Sequence, residues 1–266
     1  MNHVVSIINQ KGGVGKTTST INLGCAFANL GQKILIIDLD PQGNASTGVG
    51  IENNDRDNSI YRLLNDRNNL QYYVKPTKIE NLDIICANVE LSGFETEVAE
   101  VKNRAFILKE ILGDLKEKNQ YNQILIDCPP SLSLLTVMAL VASNSVIVPL
   151  QAEFFALEGL TQLLKTINRI KSSLNKSLEI EGIVLTMFDK RNKLCSQVED
   201  EARKFFSEQV YQTMIPRNIR ISEAPSHGLP VLVYDKYCAG SMAYEKLALE
   251  IIDKQKKLTL QHNGIK

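Results

Sequence analysis

The stretch Asn9-Gln10-Lys11-Gly12-Gly13-Val14-Gly15-Lys16-Thr17-Thr18 constrains this chain more than any other. It follows a short apolar run, His3 to Asn9, and opens the segment Thr17 to Leu30, whose apolar residues Ile21, Leu23, Cys25, Ala28 and Leu30 have helical spacing. Strand, glycine-rich loop and helix, in that order, is the context in which such a loop cradles phosphate. The glycines Gly12, Gly13 and Gly15 let the backbone around Val14 curl so that successive N–H groups form an anion nest. The helix N-terminus, entered at Thr17 and Thr18, adds its positive dipole end. In that geometry Lys16 reaches the β- and γ-phosphates of a nucleotide, and the Thr17 hydroxyl sits on Mg²⁺.

The rest of the chain repeats strand, loop and helix. Lys33–Asp38 is a continuous apolar strand, the pattern of a strand buried on both faces of a parallel sheet. Leu82–Cys86, Gln123–Asp127, Ser145–Leu150, Ile180–Thr186 and the weaker Val210–Thr213 read as further strands. Helical stretches fall at Lys102–Lys118, Leu132–Ala142, Leu157–Leu174, Ser196–Glu208 and Ser241–Lys256. This alternation predicts an α/β fold, doubly wound, with a mostly parallel sheet and helices on both faces. The Asn- and Asp-rich segment Glu52–Asn69 reads as loop with a short helix. A single domain over 1–266 is expected, with 258–266 as a loose tail.

A second chemical signal is Ile124-Leu125-Ile126-Asp127-Cys128-Pro129-Pro130, a buried apolar run ending in an acid. A carboxylate there holds Mg²⁺ through water, because magnesium dehydrates reluctantly. Pro129-Pro130 breaks the strand into a loop that can sense a γ-phosphate. Ile37-Asp38-Leu39-Asp40-Pro41-Gln42 ends another strand at the same edge of the sheet, where open α/β sheets bind ligands.

The phosphate loop departs from the usual pattern: Gln10 replaces the first glycine and Lys11 adds a second lysine. This form resembles the ParA/MinD family of deviant Walker A ATPases. The resemblance implies that Lys11 crosses a dimer interface to the partner's nucleotide, with ATP and Mg²⁺ held in a sandwich homodimer. It implies that Asp40 orients the attacking water and that Asp38 stands in the outer shell of the metal.

Downstream, Thr186-Met187-Phe188-Asp189-Lys190-Arg191 and the run Ile215 to Gly228 (IPRNIRISEAPSHG) resemble the chromosomal, Soj-type ParA group, and the likeness covers nearly the whole chain. It implies that Pro216 and Asn218 pack over adenine with Met187 nearby. It implies slow ATP hydrolysis, speeded by a partner of the ParB type, and ATP-dependent binding of double-stranded DNA without sequence preference. The basic residues available for that are Lys190, Arg191, Lys193, Arg203, Lys204, Arg217, Arg220 and Lys246, with Lys190, Arg191, Arg217 and Arg220 the expected DNA contacts.

With 30 basic and 30 acidic residues the net charge is zero, so any basic face must be balanced by acid elsewhere. The five cysteines form no CxxC pair and suit a reducing compartment. No charged-then-apolar leader opens the sequence and no apolar run approaches the ~20 residues of a membrane span. A cytoplasmic, nucleoid-associated protein is therefore expected. A MinD-like membrane cycler needs a C-terminal amphipathic helix with bulky apolar residues on one face. The segment Ile251–Lys266 has a weak apolar face and no aromatic, so no stable membrane association is expected. An iron–sulfur reductase of the nitrogenase type lacks its glycine-flanked cysteines here.

Overall fold

The apolar runs pair side by side in a computed structural model of the chain, which describes residues 3–262 apart from 68 and 119. Seven strands, β1 (His3–Ile7), β2 (Ile34–Asp38), β3 (Lys75–Pro76), β4 (Leu82–Ile85), β5 (Gln123–Asp127), β6 (Ser145–Gln151) and β7 (Glu179–Thr186), form one sheet. Their order is β3-β4-β2-β5-β1-β6-β7, and every pair is parallel except β3 with β4. The helices are α1 (Lys16–Asn29), α2 (Asn44–Gly48), α3 (Ile60–Asp66), α4 (Phe94–Glu97), α5 (Ile107–Lys118), α6 (Leu134–Ala142), α7 (Ala156–Ser173), α8 (Lys193–Phe206), α9 (Ile219–Glu223), α10 (Val231–Tyr234) and α11 (Ala239–His262).

Successive strand residues point to opposite faces, so a continuous apolar strand feeds two cores at once. Val4, Leu35, Ile37, Ile124 and Ile126 join one core with Leu108 and Leu112 of α5, Met138 of α6, and Leu160 and Leu163 of α7. Val5, Ile7, Ile34, Ile36 and Leu125 join the other with Phe27 of α1 and Tyr244, Leu247 and Ile251 of α11. Each such aliphatic side chain stabilises the fold by roughly 1.5–3 kcal/mol on burial.

Several expected boundaries move, each for a local reason. The helix of the 102–118 stretch is delayed to Ile107 because Asn103 takes φ +60° and Arg104–Phe106 form a 3-10 turn. The 196–208 stretch starts early, at Lys193, because the Asn192 side chain caps it by accepting from Leu194 N at 3.0 Å. Val210–Thr213 is not a strand. It touches β7 through one bridge, Ile183 to Val210, and then the Gln212 and Thr213 amides turn to the Glu250 carboxylate at 2.6 and 2.9 Å. The short antiparallel β3 was not anticipated; its Pro76 is tolerable because the strand is at the sheet edge. Residues 258–262, expected as loose tail, continue α11 to His262, and 263–266 lie outside the described residues.

The sequence of pairings sets the position of the site. From central β1 the chain winds outward through β2 to one side, then returns through β5 and crosses to β6 and β7 on the other. That reversal is a topological switch point, and the loops after β1, β2, β5 and β7 open at the carboxyl ends beside it.

Candidate functional site

The loop between Ile7 and Lys16 is held from three sides. Asn9 Nδ2 donates to the Pro149 carbonyl at 2.7 Å, while Asn9 Oδ1 accepts from Lys11 N at 3.0 Å. Thr186 Oγ1 donates to the Val14 carbonyl at 2.8 Å, tying the loop to the end of β7. Gly13 and Gly15 adopt φ of +76° and +90°, where other residues are strained. A Cβ placed on Gly12 or Gly13, both exposed, would meet nothing within 4 Å, so this part of the loop is open to an incoming ligand. Lys16 is only 7% exposed and donates from Nζ to the Lys11 carbonyl at 3.0 Å. Burial lowers its pKa, and the charges of Asp127, Cys128 and Asp40 oppose the shift.

The carboxylates gather under that lysine. Asp38 and Asp127 are register partners on β2 and β5, and both are fully buried. Asp38 accepts from Ser46 N at 2.8 Å, Ser46 Oγ at 2.7 Å and Asp40 N at 3.3 Å, so it also shapes the loop after β2. Asp127 Oδ1 accepts from Thr20 Oγ1 at 3.1 Å. Its Oδ2 is buried with no hydrogen-bond partner among the described residues. Desolvation raises both pKa values; the nearby Asp38 charge adds to the rise at Asp127, which the Thr17 and Thr20 hydroxyls oppose. Asp40, 8% exposed, stands at the mouth and accepts from Gln42 N at 3.0 Å.

Buried acids with an unpartnered oxygen beside a phosphate cradle fit a divalent cation. Among the described residues no group of three or more His, Cys, Asp or Glu could hold a metal ion alone. The fit is therefore to Mg²⁺ arriving with phosphate, which uses one or two carboxylates, substrate oxygens and water.

Beside the loop lies a cleft of about 410 Å³, lined by Gly15, Thr18, Met187, Pro216, Asn218 and Tyr244 among others. All three residues expected around adenine are there. Met187 sits at φ +50°, a strained value for a non-glycine residue. The backbone bonds Phe188 N to Ile215 O, 2.9 Å, and Arg217 N to Phe188 O, 3.1 Å, hold it in place. Asn218 Oδ1 caps α9 by accepting from Arg220 N at 2.8 Å.

The expected basic strip divides. Lys190, Arg191, Arg217 and Lys246 line one groove of about 620 Å³ with Phe188, Met214 and Met242. Arg220 is not in that lining; it pairs with Glu223 at 2.9 Å and Asp235 at 3.4 Å. Arg203 is tied to Glu199 at 2.9 Å and donates to the Tyr211 carbonyl at 3.2 Å, so its role is structural. The spacings Glu199–Arg203 (i,i+4) and Arg220–Glu223 (i,i+3) carry that signal in the sequence. Lys193 and Lys204 lie on α8 outside the groove lining. Lys11 is half exposed at the edge of the phosphate loop and pairs with Glu153 of its own chain. Thr20, Ser46, Glu153 and Tyr244 belong to the site and were not singled out from sequence. Ser46 and Glu153 carry no motif; the turn after β2 brings Ser46 to Asp38, and only the sheet brings Glu153 to Lys11.

The chain matches a family model described as an AAA domain over residues 2–180. It is 51% identical to a chromosome partitioning protein ParA of Caulobacter vibrioides over 253 residues, 95% of each chain. It is 48% identical to the sporulation initiation inhibitor protein Soj of Bacillus subtilis, over 94% of this chain and 98% of that protein. Among solved structures it superposes on a cobyrinic acid a,c-diamide synthase from Mycobacterium smegmatis with bound ADP and magnesium, at TM-score 0.84 and 29% identity over 96% of both chains. The phosphate loop with its extra lysine, the paired strand-end aspartates and relatives matched almost end to end agree: the chain belongs to the ParA/Soj family of chromosome-partitioning ATPases.

Proposed function

We propose that the chain is a DNA-partitioning ATPase that closes into a homodimer on ATP, binds duplex DNA in that state and releases it after hydrolysis. The observation that carries the reading is the fully buried Asp38–Asp127 pair, one oxygen of it unpartnered, beneath Lys16 and an open phosphate cradle. Lys16 and the loop amides hold the β- and γ-phosphates, while the Thr17 hydroxyl and Asp127, the latter through water, hold Mg²⁺, with Asp38 in the outer shell. The chemistry that Mg²⁺ would supply there, held by Thr17 and Asp127, is neutralisation of charge on the transferring phosphate. Pro216 and Asn218 pack over adenine, with Met187 nearby. Asp40 orients the attacking water, work that is mostly positioning and electrostatics.

Lys11 leaves Glu153 and reaches the partner's phosphates, so the γ-phosphate becomes part of the dimer contact. Dimerisation joins two grooves lined by Lys190, Arg191 and Arg217, with Arg220 nearby, into one face with raised avidity for DNA. Backbone-only contact has no base preference and a steep salt dependence. A ParB-type protein speeds hydrolysis, and loss of the γ-phosphate frees the DNA. That cycle gives the protein a cytoplasmic, nucleoid-associated life. No helix of the described residues is long and apolar enough to cross a membrane.

The deciding experiment uses the Asp40→Ala protein, which holds the ATP state, and measures duplex binding with ATP, with ADP and without nucleotide. ATP-dependent, salt-sensitive binding to arbitrary sequence is expected. Equal binding in all three states, or none, would overturn the reading; a liposome sedimentation arm with ATP would show whether a membrane is the cargo instead.

A further inference from the structure

Phe154 and Phe155 are 74% and 71% exposed, stacked edge to face with ring centroids 5.0 Å apart. Their outward position follows from the chain. Glu153 N bonds back to the Gln151 carbonyl at 2.9 Å and Ala156 N to the Glu153 carbonyl at 3.0 Å, making a tight turn off β6. Helix α7 then begins with Ala156 and Leu160 occupying its inner face, which leaves the two phenylalanines outside the core. Two adjacent aromatic rings in water are unfavourable unless something covers them.

Three observations identify the cover. The rings directly follow Glu153, the partner of Lys11, and Asn9 ties the phosphate loop to Pro149 of the same strand, so rings and loop share one edge. That edge carries an acid and a base side by side, half exposed at 44% and 50%, and is charge-complementary to itself under a two-fold rotation. The area is also suitable. An aromatic side chain buries roughly 150–250 Å². Four rings from two copies, already about a quarter covered, would contribute on the order of 500 Å² towards the ~1,200–2,000 Å² of a stable interface.

We infer that Phe154 and Phe155 form an apolar contact of the nucleotide-dependent dimer, packing against a second copy of this chain beside the Lys11–Glu153 edge. The inference rests on the dimer proposed above and names the surface that it uses. Lys11, reaching the partner's phosphates, sets the register of the two copies, and the rings supply the hydrophobic area.

The test compares Asp40→Ala with the triple variant Asp40→Ala, Phe154→Ser, Phe155→Ser by analytical ultracentrifugation with Mg·ATP and with Mg·ADP. Fluorescent ATP analogue binding at low protein concentration is measured in parallel. Because both rings are exposed, the triple variant should keep its melting temperature and its monomer affinity for nucleotide, while its ATP-dependent dimerisation weakens at least tenfold. A parent that dimerises with ATP, beside a variant that dimerises equally well, overturns this inference alone. A parent that stays monomeric with ATP overturns it together with the dimer reading. A Phe154→Ser, Phe155→Ser protein with Asp40 intact that dimerises normally yet loses stimulation of its ATPase by a second protein assigns the rings to that protein, and overturns it too.

Discussion

Asp38 and Asp127 end neighbouring parallel strands in register, both without solvent exposure, so burial raises the energy of ionising each, and the Asp38 charge adds to it at Asp127. Burial lifts Asp38 to about 6 and Asp127 well above its ordinary value. The sign follows by linkage: the folded state binds these protons more tightly than the unfolded chain does, so ionisation destabilises the fold. Nucleotide-free protein should therefore lose stability as pH rises from about 4, where unfolded aspartates titrate, through about 6 for Asp38 and beyond for Asp127. The Asp38 contribution is on the order of 3 kcal/mol. Glu181 acts in the opposite direction in a separate window. Burial pushes its pKa up, but hydrogen bonds from His3, Ser145 and Gln255 outweigh that and leave it lowered. Its contribution is therefore lost only as pH falls below the usual glutamate range. Urea melts between pH 5 and 8 should show the decline, and Mg·ADP should flatten it. A profile unchanged by Asp127→Asn would remove the pair as its source.

Lys16 is a buried cation beside Asp127 and Asp40. Lys16→Ala deletes charge-assisted bonds worth roughly 1.5–3 kcal/mol each, so nucleotide affinity should fall at least tenfold to a hundredfold. Isothermal titration with Mg·ADP reads this directly. The same change removes a positive charge beside Asp127 and Asp40, so a small loss of melting temperature should accompany it. Affinity within threefold of the parent would mean that the loop amides hold the phosphates alone.

Asp40 differs from its neighbours because it is nearly buried yet sits at the mouth, on the loop that Ser46 fixes to Asp38. Asp40→Ala should bind ATP with near-parental affinity and hydrolyse it roughly 10²–10⁴-fold more slowly, the usual weight of a positioned proton acceptor. Single-turnover hydrolysis separates the two effects. Parental turnover would end the assignment of the water to Asp40.

The phosphate loop and both strand-end acids were legible in the sequence because their chemistry is local: glycines, lysine and threonine fall within ten consecutive residues. The doubly wound sheet was legible because its strands are continuous apolar runs. Thr20 and Glu153 were not, since each acts on a partner brought to it by the sheet, and Ser46 reaches Asp38 only through the turn after β2. Thr20 meets Asp127 across 107 positions, and Glu153 meets Lys11 across 142. Val210–Thr213 misled because Val210 and Tyr211 are buried like strand residues while the amides of Gln212 and Thr213 are satisfied by the Glu250 side chain. The basic strip divides for a related reason, because composition cannot tell a free arginine from one already paired.

That distinction yields the last prediction. Arg191 lines the basic groove with its side chain 90% exposed, and its pairing with Asp189 at 2.9 Å is a solvent-facing one worth little. Arg220 is half exposed and shared between Glu223 and Asp235, so it must give up two partners to reach a phosphate. Arg191→Glu should therefore abolish most ATP-dependent DNA binding while leaving basal ATPase activity intact. It should also lower the slope of log affinity against log salt by about 0.9 for each phosphate that is no longer neutralised. Arg220→Glu places a third acid beside Glu223 and Asp235, so it should weaken DNA binding and also lower the melting temperature slightly. Fluorescence anisotropy on arbitrary duplex at several salt concentrations measures both. Should Arg220→Glu prove the more damaging while its fold stays unperturbed, the DNA face extends from the groove onto α9, and its two ion pairs open on binding.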